Sequence, residues 1–178
     1  YDIDLFCETE EVDARLAESF LKRISLKIGV RHIKRSQFLG LFSYNLIYHD
    51  NRELKVDFNY YPFPRINKGK KYKHLDIDSI YDIATNKVHT IFMKPRARDY
   101  VDLYFIMKNS EYDLKRLILD TKAKFDWDID PLTLGSQFLR VKDFTDMPKV
   151  LLPFNRKQMD NFFLNLAKQL TNKLFALR

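Results

Sequence analysis

Asp2 and Asp4 stand two residues apart in Tyr1-Asp-Ile-Asp-Leu-Phe6, alternating with Ile3 and Leu5. That period-2 pattern predicts a half-buried strand with both carboxylates on one face and the apolar pair on the other. Two carboxylates on one face repel unless a cation lies between them, and Mg²⁺, which prefers hard oxygen ligands, suits such a pair. The same spacing recurs at 76/78, 126/128 and 128/130, so context must separate the four. Asp2 and Asp4 lie in an apolar alternating strand followed directly by a helical pattern. The 76/78 pair is a weaker strand candidate, and Asp126 to Asp130 reads as a solvated loop around Trp127. A further carboxylate, Asp57, falls mid-strand in Leu54-Lys-Val-Asp-Phe-Asn-Tyr60, opposite the apolar set Leu54, Val56 and Phe58. Asp is disfavoured inside strands. Solvent exposure is the plain explanation. The chemical one is a strand near that of Asp2 and Asp4, completing a three-carboxylate metal site for in-line phosphoryl or nucleotidyl transfer.

Ile83, Lys87 and Ile91 recur at helical spacing, which places Lys87 on or beside an apolar stripe. From there it either snorkels along the surface or projects into a cleft as a point charge for a phosphate. Asp99 and Asp102 share a face of the next helix with Leu103 and Ile106, where first-turn acids also suit the helix dipole. Arg96 and Arg98 beside them read as phosphate contacts or ion-pair partners. Glycine occurs only at 29, 40, 69 and 135, so neither a P-loop nor a dinucleotide fingerprint is present. His32, His49, His74 and His89 show no metal-ligand spacing, and the lone Cys7 excludes a disulfide framework or a multi-thiolate metal site.

The elements that must position these groups follow from periodicity. After the first strand, Glu10 to Leu26 reads as a helix with a stripe of Val12, Leu16, Phe20 (or Ala17) and Ile24. Phe38 to His49 and Leu54 to Phe63 read as a hairpin joined by Asp50-Asn51-Arg52-Glu53. Residues 65–74 form a basic loop, and Leu75 to Asp78 a short strand. From Ser79 the texture turns helical. Ser79 serves as N-cap, with Asp82 three residues on. Helices follow over Ser79 to Met93, Arg98 to Lys108, Tyr112 to Ala123, Leu132 to Phe144 and about Lys157 to Leu177. The last carries Phe162, Leu166, Leu170 and Leu174 on one stripe. The expected organisation is an α+β lobe over residues 1–94 and a helical lobe over 95–178.

The 178 residues are 46% hydrophobic and 31% charged, which supports a packed core and argues against disorder. No apolar run reaches membrane-spanning length, and no signal peptide is recognisable, so a soluble cytoplasmic protein is expected. The formal charge of +7 points to an anionic partner. Bases cluster at residues 65–74, at Lys94-Pro-Arg-Ala-Arg98 and at 156–178, while residues 1–13 hold six acids and no base.

The segments Tyr1-Asp-Ile-Asp-Leu-Phe6, Lys55-Val-Asp-Phe58, Asp82-Ile-Ala-Thr-Asn-Lys87 and Arg98-Asp-Tyr-Val-Asp-Leu-Tyr104 occur in the order seen in the AbiEii/AbiGii toxin family of nucleotidyltransferases. The chain resembles that family across nearly its whole length. The resemblance implies a polymerase-β-like nucleotidyltransferase lobe, a mixed sheet with helices, followed by a helical lobe. It implies a toxin of a toxin–antitoxin or phage-defence system that moves an NMP from an NTP to a hydroxyl acceptor with Mg²⁺. MenT-like relatives add nucleotides to tRNA ends, so RNA, tRNA or protein are the implied acceptors and an antitoxin the implied partner. Residue by residue, Asp2 and Asp4 match the paired metal-binding aspartates, and Lys87 matches the lysine expected on the nucleotide phosphates. Asp99 matches the acid of the Arg-Asp-x-x-Asp-Leu motif, beside Arg98 and ahead of Asp102. Asp57 matches the third strand carboxylate, as base or second metal ligand. The family's Gly-Ser phosphate-binding pair, expected shortly before the Asp-x-Asp, is missing. Together with a first residue that is not Met, this leads to the expectation of a chain truncated upstream. A non-catalytic module of the same fold, binding an antitoxin or nucleic acid, is the alternative. A glycosyltransferase fits poorly, because its Asp-x-Asp follows a long nucleotide-binding region.

Overall fold

The computed structural model describes residues 2–175, the side chains of 172–175 excepted. Tyr1, Leu177 and Arg178, and the side chains of Lys173 and Leu174, therefore lie outside the described residues. The chain forms two compact units, Tyr1–Pro64 and Arg65–Arg178.

The first unit runs β1 (Asp2–Cys7), α1 (Ala14–Ile28), β2 (Val30–Phe38), β3 (Leu41–Tyr48) and β4 (Glu53–Tyr60). Its sheet has the order β1-β4-β3-β2. β1 pairs with β4 in parallel, and the other neighbours are antiparallel. The sheet is thus mixed, as expected. α1 starts at the N-cap Asp13, whose carboxylate accepts from Arg15 N at 2.7 Å, and ends at Gly29 in the left-handed conformation. That is the backbone state that glycine adopts without a steric cost. Ala17 and Leu21 of α1 bury against Phe42, Tyr44, Leu46 and Val56. The expected stripe is corrected here: Leu16 is 70% exposed and Phe20 42%. Both faces of the helix carry apolar residues, and the sheet takes the one on which the small Ala17 permits close approach. β2 was not foreseen, because Val30-Arg-His-Ile-Lys-Arg-Ser-Gln-Phe38 is largely polar and mostly exposed. Backbone pairing to β3 holds it rather than burial.

The second unit opens with the basic loop and a small hairpin, β5 (Lys71–Tyr72) and β6 (Leu75–Asp76). The helices α2 (Ile80–Met93), α3 (Ala97–Asn109), α4 (Leu114–Phe125), α5 (Pro131–Leu139) and α6 (Arg156–Phe175) follow, with a 3₁₀ turn over Arg140–Asp143. Their shared core includes Val88, Ile91, Tyr100, Leu103, Leu117, Leu134, Phe138, Met159 and Phe163. Ile129 is fully buried in that core, so the acidic loop before α5 is anchored rather than freely solvated. The sequence reading placed the lobe boundary after residue 94, whereas the compact units divide after Pro64. The physical reason is that α2 lends Ala84, Val88 and Ile91 to the helical core.

Candidate active site

The acidic face of the first unit is built by strand register. Asp4 stands opposite Asp57, and Asp2 opposite Lys55, across the parallel β1–β4 ladder. On the other side of β4, Ser43 faces Asp57 and Asn45 faces Lys55. Directly opposed residues share a face of the sheet, so Asp4, Asp57 and Ser43 form one row and Asp2, Lys55 and Asn45 the next. The helix-covered face holds Tyr44 and Val56 instead. Alternation thus sends the core residues one way and the carboxylates the other.

Asp57 is buried, at 8% exposure, so solvent exposure does not explain an aspartate there. Its Oδ2 accepts a hydrogen bond from Lys55 Nζ. Among the described residues, Asp57 Oδ1 is the buried side-chain polar atom with no hydrogen-bond partner. A buried carboxylate oxygen without a donor is costly and calls for a cation or proton donor absent from the chain itself. Lys55 was missed at the sequence level, although its place two residues before Asp57 put it on the same face. It supplies the cationic contact on Asp57 Oδ2.

Whether the residues fit Mg²⁺ is decided by this donor set. Among the described residues, no three His, Cys, Asp or Glu side chains converge as a metal cage. The strand register instead sets out how Asp2, Asp4 and Asp57 are placed on this face. Register pairs Asp4 with Asp57, while Asp2 is set one row along, beside Lys55. Mg²⁺ commonly binds through one or two carboxylates and completes its shell with water and substrate phosphate oxygens. Asp4 and the unpartnered Oδ1 of Asp57 fit that mode.

The second unit positions its own candidates. Asp99 is fully buried in the first turn of α3. Its Oδ2 accepts from Arg96 N and Arg96 Nε, each at 3.1 Å. Lys87 Nζ on α2 donates to Asp99 Oδ1 at 3.0 Å and lies 2.6 Å from Asp102 Oδ2. Burial works to raise the Asp99 carboxyl, but the hydrogen bonds and charges of Arg96 and Lys87 outweigh it and hold it below the usual range. Lys87 is mostly buried and Asp102 half-exposed. Lys87 is therefore clamped between two carboxylates rather than left to snorkel. Arg98 is exposed and in no ion pair among the described residues, and it is Arg96 that reaches Asp99.

Asp82, read from the sequence as a capping partner, does more. It accepts from Ser79 Oγ at 2.7 Å, from Ile66 N at 2.8 Å, from Asn67 N at 3.0 Å and from Lys124 Nζ at 3.0 Å. Burial acts to raise its carboxyl, yet those four donors keep it low. Lys124 was not foreseen, since its side chain is 1% exposed and lysine is rarely so buried without a partner. Tyr81 Oη donates to Asp120 Oδ2 at 2.6 Å, and Arg116 Nε reaches the same oxygen at 2.8 Å. Burial, then Asp120, pushes the Tyr81 hydroxyl up to about 12. In the closing basic segment, Arg156 is tied to Asp160 and to the carbonyls of Phe144 and Val141 at 2.7–2.9 Å. It is a strut of the helical unit.

The family model described as nucleotidyl transferase AbiEii toxin of type IV toxin–antitoxin systems matches residues 1–175. No curated protein sequence matches the chain. Among solved structures, the chain is similar to JHP933 from Helicobacter pylori, at 20% identity and a TM-score of 0.55, over 99% of this chain and 77% of that one. It is similar, at the same identity and TM-score, to a proposed nucleotidyltransferase from H. pylori, over 99% of this chain and 80% of that one. At this level of identity the likeness establishes the fold.

Proposed function

The chain belongs to the AbiEii nucleotidyl transferase toxin family, and from that premise we propose that it moves a nucleoside monophosphate from an NTP to a hydroxyl acceptor with Mg²⁺. The observation that carries this reading is the in-register pairing of Asp4 with a buried Asp57 whose Oδ1 has no donor. Asp4 and Asp57 would hold the metal, which when bound draws charge from the triphosphate and polarises the oxygens around the α-phosphorus. Asp2, one row along, would serve the same cation through water.

The acceptor oxygen attacks the α-phosphorus, forming one P–O bond while the bond to the bridging oxygen of the β-phosphate breaks. Pyrophosphate leaves with that electron pair. The acceptor's proton passes to the Asp57 carboxylate, or through it to water. Lys87 is the cation we assign to the phosphates, where negative charge builds in the transition state. A phosphate would take the place of the half-exposed Asp102 on Lys87. Asp99, fully buried and held by Arg96, keeps the ammonium in place from behind, which makes it a positioning residue. Arg98, exposed and in no ion pair among the described residues, would be a further phosphate contact. The acceptor class we favour is RNA, with protein as the other arm of the test, and a cognate antitoxin is the expected regulatory partner.

Each α-³²P-labelled NTP, incubated with total RNA or with a protein extract, tests this reading. Wild type should label an acceptor, while Asp4→Ala and Lys87→Ala lower labelling by about a hundredfold or more, the usual scale for removing an electrostatic contact to the transition state. Equal labelling by all three proteins would refute the site assignment. No labelling by wild type on any acceptor would favour a binding module that keeps the fold without the chemistry.

A further inference from the structure

The basic loop and the start of α2 enclose a cavity of about 660 Å³ lined by Lys68, Gly69, Lys70, Asp78, Tyr81 and Tyr112, among others. Its size lies within the range of small-molecule sites. The loop wall is fixed by backbone contacts. Ile77 N donates to Lys70 O at 2.8 Å. A Cβ on Gly69 would come within 1.8 Å of the Ile77 carbonyl oxygen, so only glycine allows the two loop segments of this wall to meet. Further back, Asp82 takes the N–H groups of Ile66 and Asn67.

The lining offers two lysines and a pair of half-buried tyrosine rings that also pack on the helical core. Lys68 and Lys70 are exposed, and among the described residues neither is in an ion pair. The lining carboxylate Asp78 is already neutralised by Arg65 Nε at 2.7 Å, so the net charge left on the cavity is positive. Tyr81 and Tyr112 meet edge to face, with centroids 5.0 Å apart at 89°. The Tyr81 ring is held in place by its hydroxyl on Asp120. An aromatic pair beside two free ammonium groups is the combination that stacks a base and neutralises its phosphate.

We propose that this cavity binds a nucleotide unit, with its phosphate on Lys68 and Lys70 and its base against the Tyr81–Tyr112 pair. The choice of a nucleotide over another aromatic phosphate rests on the transferase reading above. The same chemistry comes from two sources, a free nucleotide or one residue of a single strand.

Binding of ATP (by calorimetry) and of a fluorescein-labelled single-stranded RNA hexamer (by anisotropy) to the full chain, without divalent ions, decides the matter. The variants are Lys68→Glu/Lys70→Glu, Tyr112→Leu and, as a control for charge reversal, the exposed Lys27→Glu of α1. The charge-reversal pair should weaken binding by about tenfold or more and flatten its salt dependence. Tyr112→Leu, which keeps apolar bulk, should weaken it by about fivefold or more through lost stacking. Lys27→Glu should bind as wild type. Loss confined to the hexamer identifies a strand as the source, and loss for ATP as well identifies the free nucleotide. Unchanged affinity in both pocket variants, or no binding of either probe by wild type, would overturn the inference. Because no transfer is read, a failed transferase reading leaves these outcomes intact. Conversely, pocket variants that bind normally, while Asp4→Ala abolishes labelling, would remove this inference alone.

Discussion

Two buried aspartates show how differently one residue type can be used. Asp57 keeps one oxygen for Lys55 and leaves the other without a donor, whereas Asp82 spends both on four donors. Lys55 on Oδ2 and a metal ion at Oδ1 would therefore compete, through different oxygens, to neutralise the one charge of Asp57. Lys55→Met removes the resident competitor, so Mg²⁺ should raise the melting temperature of that variant by more than it raises that of wild type. A scanning-fluorimetry titration reads this, and an equal or smaller shift would contradict a cation site at Asp57. At Asp82 the prediction concerns stability. Asp82→Ala removes the carboxylate that neutralises the Lys124 ammonium in the core, at a cost of about 3–5 kcal/mol. Adding Lys124→Met should recover a large part of that loss in urea unfolding. The candidate carboxylates were legible in the sequence because strand alternation fixes their face. Lys55 shared that legibility, since it falls on the same strand face as Asp57, and was given no role. Lys124 was not legible, since nothing local marks a lysine whose partner stands 42 residues away.

At the scale of elements, contact between helices sets a pH response. His89 of α2 stacks on Phe125 of α4, with centroids 3.9 Å apart at 10°. Burial holds its imidazole below the ordinary value. The unfolded chain then takes up a proton first as pH falls through about 6.5. Stability that is fully present above that pH declines below it, until the folded imidazole is protonated as well. The urea midpoint should therefore drop between pH 7.5 and pH 5, and His89→Phe, which keeps the stack, should reduce that drop. An identical pH profile in the variant would remove this account. Most helices were readable from periodicity and caps: Ser79 starts α2 by accepting from Asp82 N, as the spacing foretold. Where two faces of a helix are both apolar, as in α1, sequence alone does not choose between them. A strand held by backbone bonds with little burial, as β2 is, leaves almost no trace in the pattern.

For the molecule as a whole, a net charge of +7 is carried by two units with separate cores. Among the described residues, no helix is long and apolar enough to cross a membrane. The order β1-β4-β3-β2 leaves β1 at a sheet edge, joined to β4 alone. Ile3 and Phe6 of that strand are each nearly half exposed. Asp4 thus rides on a segment with little to hold it down, and edge segments open at a lower free energy than the core. Backbone amides of Ile3 to Leu5 should exchange with deuterium faster than those of Tyr44 to Leu46. The transfer proposed above should likewise fail in urea below the midpoint at which the Leu21–Val56 core melts. Coincident loss of activity and core would disprove this. A ligand held by both Asp4 and Asp57 would add a second tie across the β1–β4 ladder, so that its binding would itself slow the opening of the strand that carries Asp4.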